Sequence, residues 1–181
     1  VPATAIWIHV PTPAPPMAFG GVEALPERLA GMPLGSGIIL VRFNPLAEEA
    51  INWTRKQLTE EDKQWLRDLK MVRQVRDFTI VHATLDTPHK WGYVFNQLDA
   101  AASFNYQHTQ LCFYGHTHAP RIYEKDDTVR CLRETETKIR RGAKYFINVG
   151  SVGQPRDGDW RASYAIYDAD NQSVNIHRIE Y

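Results

Sequence analysis

The sequence predicts a mixed α/β fold, a layered sandwich of sheet and helix. Three observations carry this. Short apolar runs that read as strands outnumber the segments with helical spacing, yet helices are interleaved among them. Several strands come in pairs around short turn-forming dipeptides such as Asp126-Asp127. The chain has 181 residues, 43% hydrophobic and 23% charged, enough for one domain with a real core.

Taken in order, residues 1–42 stand apart. They are dense in Pro, Gly and Ala, contain no Asp, and carry only Glu23, Glu27, Arg28 and Arg42 as charges. PTPAPP is expected to be extended, because proline fixes φ and lacks a backbone donor. AIWIHV and GIILV read as short strands, and VEALPERLAG as a helical turn interrupted by Pro26. Regular signals begin at Phe43. Asn44 caps and Pro45 opens a helix over PLAEEAINWTRKQL, with Ala47, Ala50, Ile51, Thr54 and Leu58 at helical spacing. Thr59 and Asp62 form a capping box for TEEDKQWLRDL, whose Trp65, Leu66 and Leu69 are expected to face a core.

A hairpin follows, MVRQV and FTIVH around Arg76-Asp77. A loop with Pro88 and Gly92 leads to a helix over NQLDAAASFN. LCFY is a buried strand. RIYEK and TVRCLRE form a second hairpin, KYFINV is a strand ending near Gly150, and SYAIYD with SVNIHRIEY makes a third hairpin around ADNQ.

Charge narrows the partners. Lys plus Arg and Asp plus Glu number 21 each, so no general nucleic-acid or membrane-surface binder is indicated. No apolar run approaches a membrane span. Two isolated cysteines, Cys112 and Cys131, make no disulfide framework, and Cys112 reads as a buried small hydrophobe. A cytoplasmic setting is the expectation.

The chemistry gathers at three strand ends: FTIVH at His82, LCFYGHTH at His116 and His118, and KYFINVGS at Asn148. Neutral imidazole is the commonest protein metal ligand, and Gly115 lets the backbone turn sharply between strand and histidines. A turn there spreads His116 from His118. Each histidine alone is an ordinary hydrogen-bonding residue. The combination of a strand ending in histidine, G-H-T-H and a downstream N-x-G-S is far more specific. In VGSVGQPRDGD, glycines that turn backbone donors inward suit an anion, and Arg156 suits a phosphate. The structural alternative is a turn in which Arg156 and Asp157 or Asp159 form ion pairs.

Residues 43–181 resemble the later part of a calcineurin-like metallophosphoesterase of the small bacterial and archaeal phosphodiesterase type. The matching stretches are FNPLAEEAINWTRKQL, FTIVHATLDTP, LCFYGHTHAP and INVGSVGQPRDGDWRASYAIYD, spread over more than three-quarters of the chain. The resemblance implies a four-layer αββα sandwich, here partial, with its N-terminal units missing or replaced. It implies hydrolysis of phosphate mono- or diesters by a metal-bound hydroxide, with His82 and His116 holding one divalent metal and His118 a second. Mn, Fe, Zn or Ni suit such ligands. Gly150, Ser151 and Arg156 are the expected substrate-binding residues, and no catalytic residue is assigned.

The family's D-x-H, G-D and G-N-H-D or G-N-H-E motifs do not occur in the chain. Trp7 stands where AIWIHV would need an aspartate, which also makes His9 a poor ligand. Three imidazoles carry no negative charge to hold two cations together, so one metal or none is expected rather than two. Residues 1–42 are therefore read as a replacement for the family's usual start, from a frameshift, a wrong start site or a fragment, and residues 43–181 as the phosphoesterase-like domain. The alternative function is an impaired or inactive fragment acting as a binding module or a mononuclear metal-binding protein. The expected partner is a small phosphate ester or nucleotide, and exposed sheet edges favour a homo-oligomer.

Overall fold

The computed structural model describes residues 4–6 and 45–180. Two compact units divide them, one of residues 45–69 and one of β1 (Thr4–Ile6) with residues 70–180. The expectations at residues 7–44, including the strand over GIILV and the Asn44 cap, lie outside the described residues.

The smaller unit is two helices. α1 (Pro45–Gln57) starts at its proline and ends on the basic pair Arg55 and Lys56, which suits the negative end of a helix. α2 (Glu60–Asp68) has the expected capping box. The Thr59 hydroxyl accepts from the Asp62 amide at 3.1 Å, and the Asp62 carboxylate accepts from the Thr59 amide at 3.0 Å. The expected packing of its apolar side chains is corrected by the structure. No residue of α2 is buried, and Trp65 and Leu69 are both more than half exposed. Helical spacing specifies which side chains share a face; it does not specify that anything covers that face.

The larger unit is built on two sheets. A six-stranded sheet runs in the order β2 (Val72–Val75), β3 (Phe78–Val81), β4 (Leu111–Tyr114), β8 (Lys144–Asn148), β5 (Arg121–Lys125), β6 (Val129–Leu132). β3, β4 and β8 are parallel neighbours, and the other pairings are antiparallel. A four-stranded antiparallel sheet runs β1, β9 (Ala162–Asp168), β10 (Ser173–Ile179), β7 (Glu136–Lys138). The three expected hairpins all form. β7 was not foreseen, because E-T-K carries no apolar alternation.

Period-two alternation explains the layers. Phe78, Leu111, Phe113, Ile122, Tyr145 and Ile147 point to one side of the six-stranded sheet and pack with Ala165, Tyr167 and Val174 of the other sheet. Cys112, Tyr114, Tyr123 and Phe146 point to the opposite side, where Ala100 and Phe104 of α3 (Gln97–Phe104) cover them. All four residues of β4 are buried, which is why LCFY is an unbroken apolar run. Cys112 is fully buried and both cysteines are free thiols. Among the described residues no helix is long and apolar enough to cross a membrane.

Candidate metal centre

Parallel strands end side by side, so β3, β4 and β8 deliver their next residues to one rim. The ladder continues one step past the strands: the Gly115 amide donates to the His82 carbonyl at 3.0 Å, and the Val149 amide to the Tyr114 carbonyl at 3.1 Å. His82, the G-H-T-H turn and Asn148 therefore lie on the same edge.

The turn after Gly115 is tight. His116 and His118 both have left-handed backbone, with φ of 66° and 57°. This separates two rings that a strand would have aligned. Buried Asn148 holds the turn, donating from Nδ2 to the Gly115 carbonyl at 2.8 Å and the Thr117 hydroxyl at 2.7 Å. Its Oδ1 accepts from the Gly150 amide at 2.8 Å. Asn148 is thus a brace between two rim loops.

His82 and His116 meet, with Nε2 of the first 3.0 Å from Nδ1 of the second. Burial holds both well below the usual imidazole range, at about 4, and the neighbouring histidines add repulsion for His82. Near neutral pH both rings are uncharged; in their contact one donates and the other accepts with its only lone pair, so one nitrogen of the pair is left free for a ligand and a metal binding both would replace the contact. His116 Nε2 is buried without a hydrogen-bond partner among the described residues. His118 sits apart: its Nδ1 lies 2.8 Å from the Gln154 carbonyl. A carbonyl only accepts, so that nitrogen carries the proton and Nε2 is the one with a lone pair. Burial also lowers the His118 pKa.

An aromatic wall encloses the pair. Trp91 packs on His82 at 4.7 Å between ring centroids, and Tyr93 stacks on His116 at 4.4 Å. Neither was singled out in the sequence. One structural signal marks Trp91 though not Tyr93: Trp91, His116, His118 and Gln154 are four of the six non-glycine residues with positive φ among the described residues, and strained backbone concentrates at functional sites.

In the downstream loop, the amide of Gly150 is spent on Asn148 and the Ser151 hydroxyl donates to the Gly153 carbonyl. Arg156 donates from its backbone to the His118 carbonyl at 3.0 Å and from its guanidinium to Gln154 Oε1 at 2.9 Å, while its buried Nε has no partner among the described residues. Asp157 and Asp159 pair with Arg178 and Arg161 rather than with Arg156.

The chemistry of the donors fits a divalent metal: neutral imidazoles, two of them converging and one with an orphaned buried nitrogen. They fit as a partial set. No group of three or more His, Cys, Asp or Glu among the described residues is spaced to hold an ion.

Comparison with known proteins bears on the fold and the family. Residues 50–172 match the family model of the calcineurin-like phosphoesterase superfamily domain. An uncharacterized protein of Methanocaldococcus jannaschii is 35% identical over 144 residues, 77% of this chain and 57% of that protein. The crystal structure of a metallophosphoesterase from Sphaerobacter thermophilus is 41% identical, with a TM-score of 0.66, over 76% of this chain and 59% of that one. The chain therefore spans less than two-thirds of the length of either relative.

Proposed function

The chain belongs to the calcineurin-like phosphoesterase superfamily, and from that premise we propose that it hydrolyses phosphate mono- or diesters with a divalent metal held at the β3–β4–β8 rim. The observation that supports this most directly is the His82–His116 pair, two uncharged imidazoles 3.0 Å apart at adjacent parallel strand ends. His82 and His116 would hold the ion, with His118 contributing through Nε2. Mn, Fe, Zn and Ni all suit such nitrogen donors. When bound, the metal supplies Lewis acidity toward the phosphoryl oxygens and a water of lowered pKa.

The chain's own residues do the rest. Asn148 fixes the G-H-T-H turn, and the Gln154 carbonyl fixes the tautomer of His118. Trp91 and Tyr93 exclude water from the imidazoles, which strengthens any electrostatic contact made there. Arg156 brings the one cationic side chain of the downstream loop that pairs with no carboxylate among the described residues, and it faces the anionic ester with Gly150 and Ser151 lining the same loop. Two free cysteines accord with work in the cytoplasm.

A second reading follows from charge. His82, His116 and His118 bring no negative charge, so one divalent ion is electrostatically easier to hold than two. On that reading the chain is a mononuclear metal-binding module without hydrolysis.

The readings separate in one set of measurements. With added Mn²⁺, the purified chain is expected to cleave a bis-aryl phosphodiester, and His116→Ala is expected to lower the rate at least 100-fold with an unchanged melting temperature, as removal of a metal ligand should. Metal analysis of the purified chain gives the stoichiometry. No hydrolysis, with one bound ion lost in His116→Ala, is the result expected of the module. An equal rate in His116→Ala would remove the rim from the chemistry.

A further inference from the structure

Beside the histidine rim lies a cleft that the reaction as described does not use. It has a volume of about 500 Å³, within the usual range for small-molecule sites. Phe95, Asn96 and Gln97 at the start of α3 form one wall. Pro120 with Arg121 and Tyr123 of β5 forms the floor, and Cys131 and Leu132 of β6 with the next residue, Arg133, form the other wall.

Topology joins the cleft to the rim. Pro120 follows His118 by two residues, and Arg121 pairs with Asn148 across the β5–β8 ladder. Antiparallel pairing of Ile122 with Leu132 brings Arg133 back to the same end. On the helix side the link is a continuous stack: His116 on Tyr93 at 4.4 Å, then Tyr93 on Phe95 at 5.4 Å with their planes 6° apart. Phe95 is 61% exposed, so it offers a ring face to a ligand.

Two features give the ligand's chemistry. Phe95 suits a planar ring. Arg121 and Arg133 are exposed cations with no carboxylate partner among the described residues, and the nearby carboxylates are engaged elsewhere. Asp99 accepts from the Phe95 and Asn96 amides, and Glu134 accepts from the Arg133 amide. Such guanidinium groups suit a phosphate.

We propose that this cleft binds the departing half of the ester, and that this half is an alcohol carrying both an aromatic base and a second phosphate, of the nucleoside monophosphate class. The inference rests on the phosphoesterase reading. The base lies on Phe95, the second phosphate reaches Arg121 and Arg133, and the ester to be cleaved points along the Tyr93 side toward the histidines. Inorganic phosphate alone would leave most of the volume and the ring face unused.

Binding tests the cleft without requiring turnover. Calorimetric titration of the full chain with AMP, adenosine and inorganic phosphate, without added metal, is expected to give AMP an affinity at least tenfold above either fragment. Phe95→Ala and Arg133→Glu are each expected to weaken AMP at least fivefold. AMP binding no tighter than phosphate, or equal binding by Phe95→Ala and Arg133→Glu, overturns the proposal. A chain that cleaves aryl esters but ignores AMP loses the cleft alone; one that binds AMP in this pattern but cleaves nothing loses the hydrolase reading alone.

Discussion

Gly150 shows how a single backbone position constrains the rim. Its φ is +78°, and a Cβ added there would lie 2.5 Å from the Cβ and Oγ of Ser163. Ser163 is itself buried and donates to the Val149 carbonyl at 2.8 Å, so it has nowhere to withdraw. Gly150→Ala is therefore expected to destabilise the chain by about 2–4 kcal/mol, through left-handed strain and overlap together. Chemical denaturation of both proteins measures it, and a difference below ~0.5 kcal/mol would show the loop to be softer than described. In the sequence Gly150 stood out as a donor suited to an anion. The structure gives its amide to Asn148, a contact that no spacing rule announces because it depends on where two loops meet. The same holds for Asn148, whose brace links residues 33 apart in sequence. Histidines 82 and 116 were legible because each ends an apolar run. Trp91 and Tyr93 were not, because they come from a loop whose path is set by what it packs on.

Elements were legible in proportion to how local their causes are. α3 begins where NQLD says it should. Asn96 Oδ1 accepts from the amides of Leu98 and Asp99 at 2.9 and 3.1 Å, and Asp99 answers by accepting from the Asn96 amide at 3.2 Å. Asn96→Ala removes half of that exchange and is expected to cost about 1 kcal/mol. Thermal melts of the variant check the figure, and an unchanged midpoint would mean that burial of Phe104 and Ala100 alone fixes the start of the helix. Hairpins were equally local: the Arg76-Asp77 turn uses left-handed Arg76, with φ of 52°, to join Val75 to Phe78. Strand order was not local. β8 lies between β4 and β5, which are neighbours in sequence, and alternation within each strand carries no information about that insertion.

Across the whole larger unit, two cores and a buried carboxylate held by two half-exposed arginines set stability. Glu124, 5% exposed, accepts from Tyr145 Oη at 2.5 Å, Arg130 at 2.9 Å and Arg140 Nε at 2.9 Å. Burial alone would raise its pKa, but the hydrogen bonds from Tyr145 and Arg140 more than offset this and hold it below its ordinary value of 4.5. A carboxyl group with a depressed folded pKa stabilises the fold above its unfolded pKa, and that stability is lost as pH falls through the folded value. Glu124→Gln is accordingly expected to lower stability at pH 7 by about 1–3 kcal/mol. The gap from the parent chain should narrow as pH falls below 4.5. Melting curves across that range decide it, and a gap independent of pH would place the loss in packing instead. The insertion of β8 also has a consequence for biosynthesis. On the ribosome β4 and β5 emerge one after the other, but their shared neighbour follows only at Lys144–Asn148. At roughly 5–20 residues per second the nascent chain waits a few seconds with both strand edges open. Until that strand slots in, no Asn148 clasps the histidine turn, so the histidine rim and the sheet that bears it come into being in a single late event.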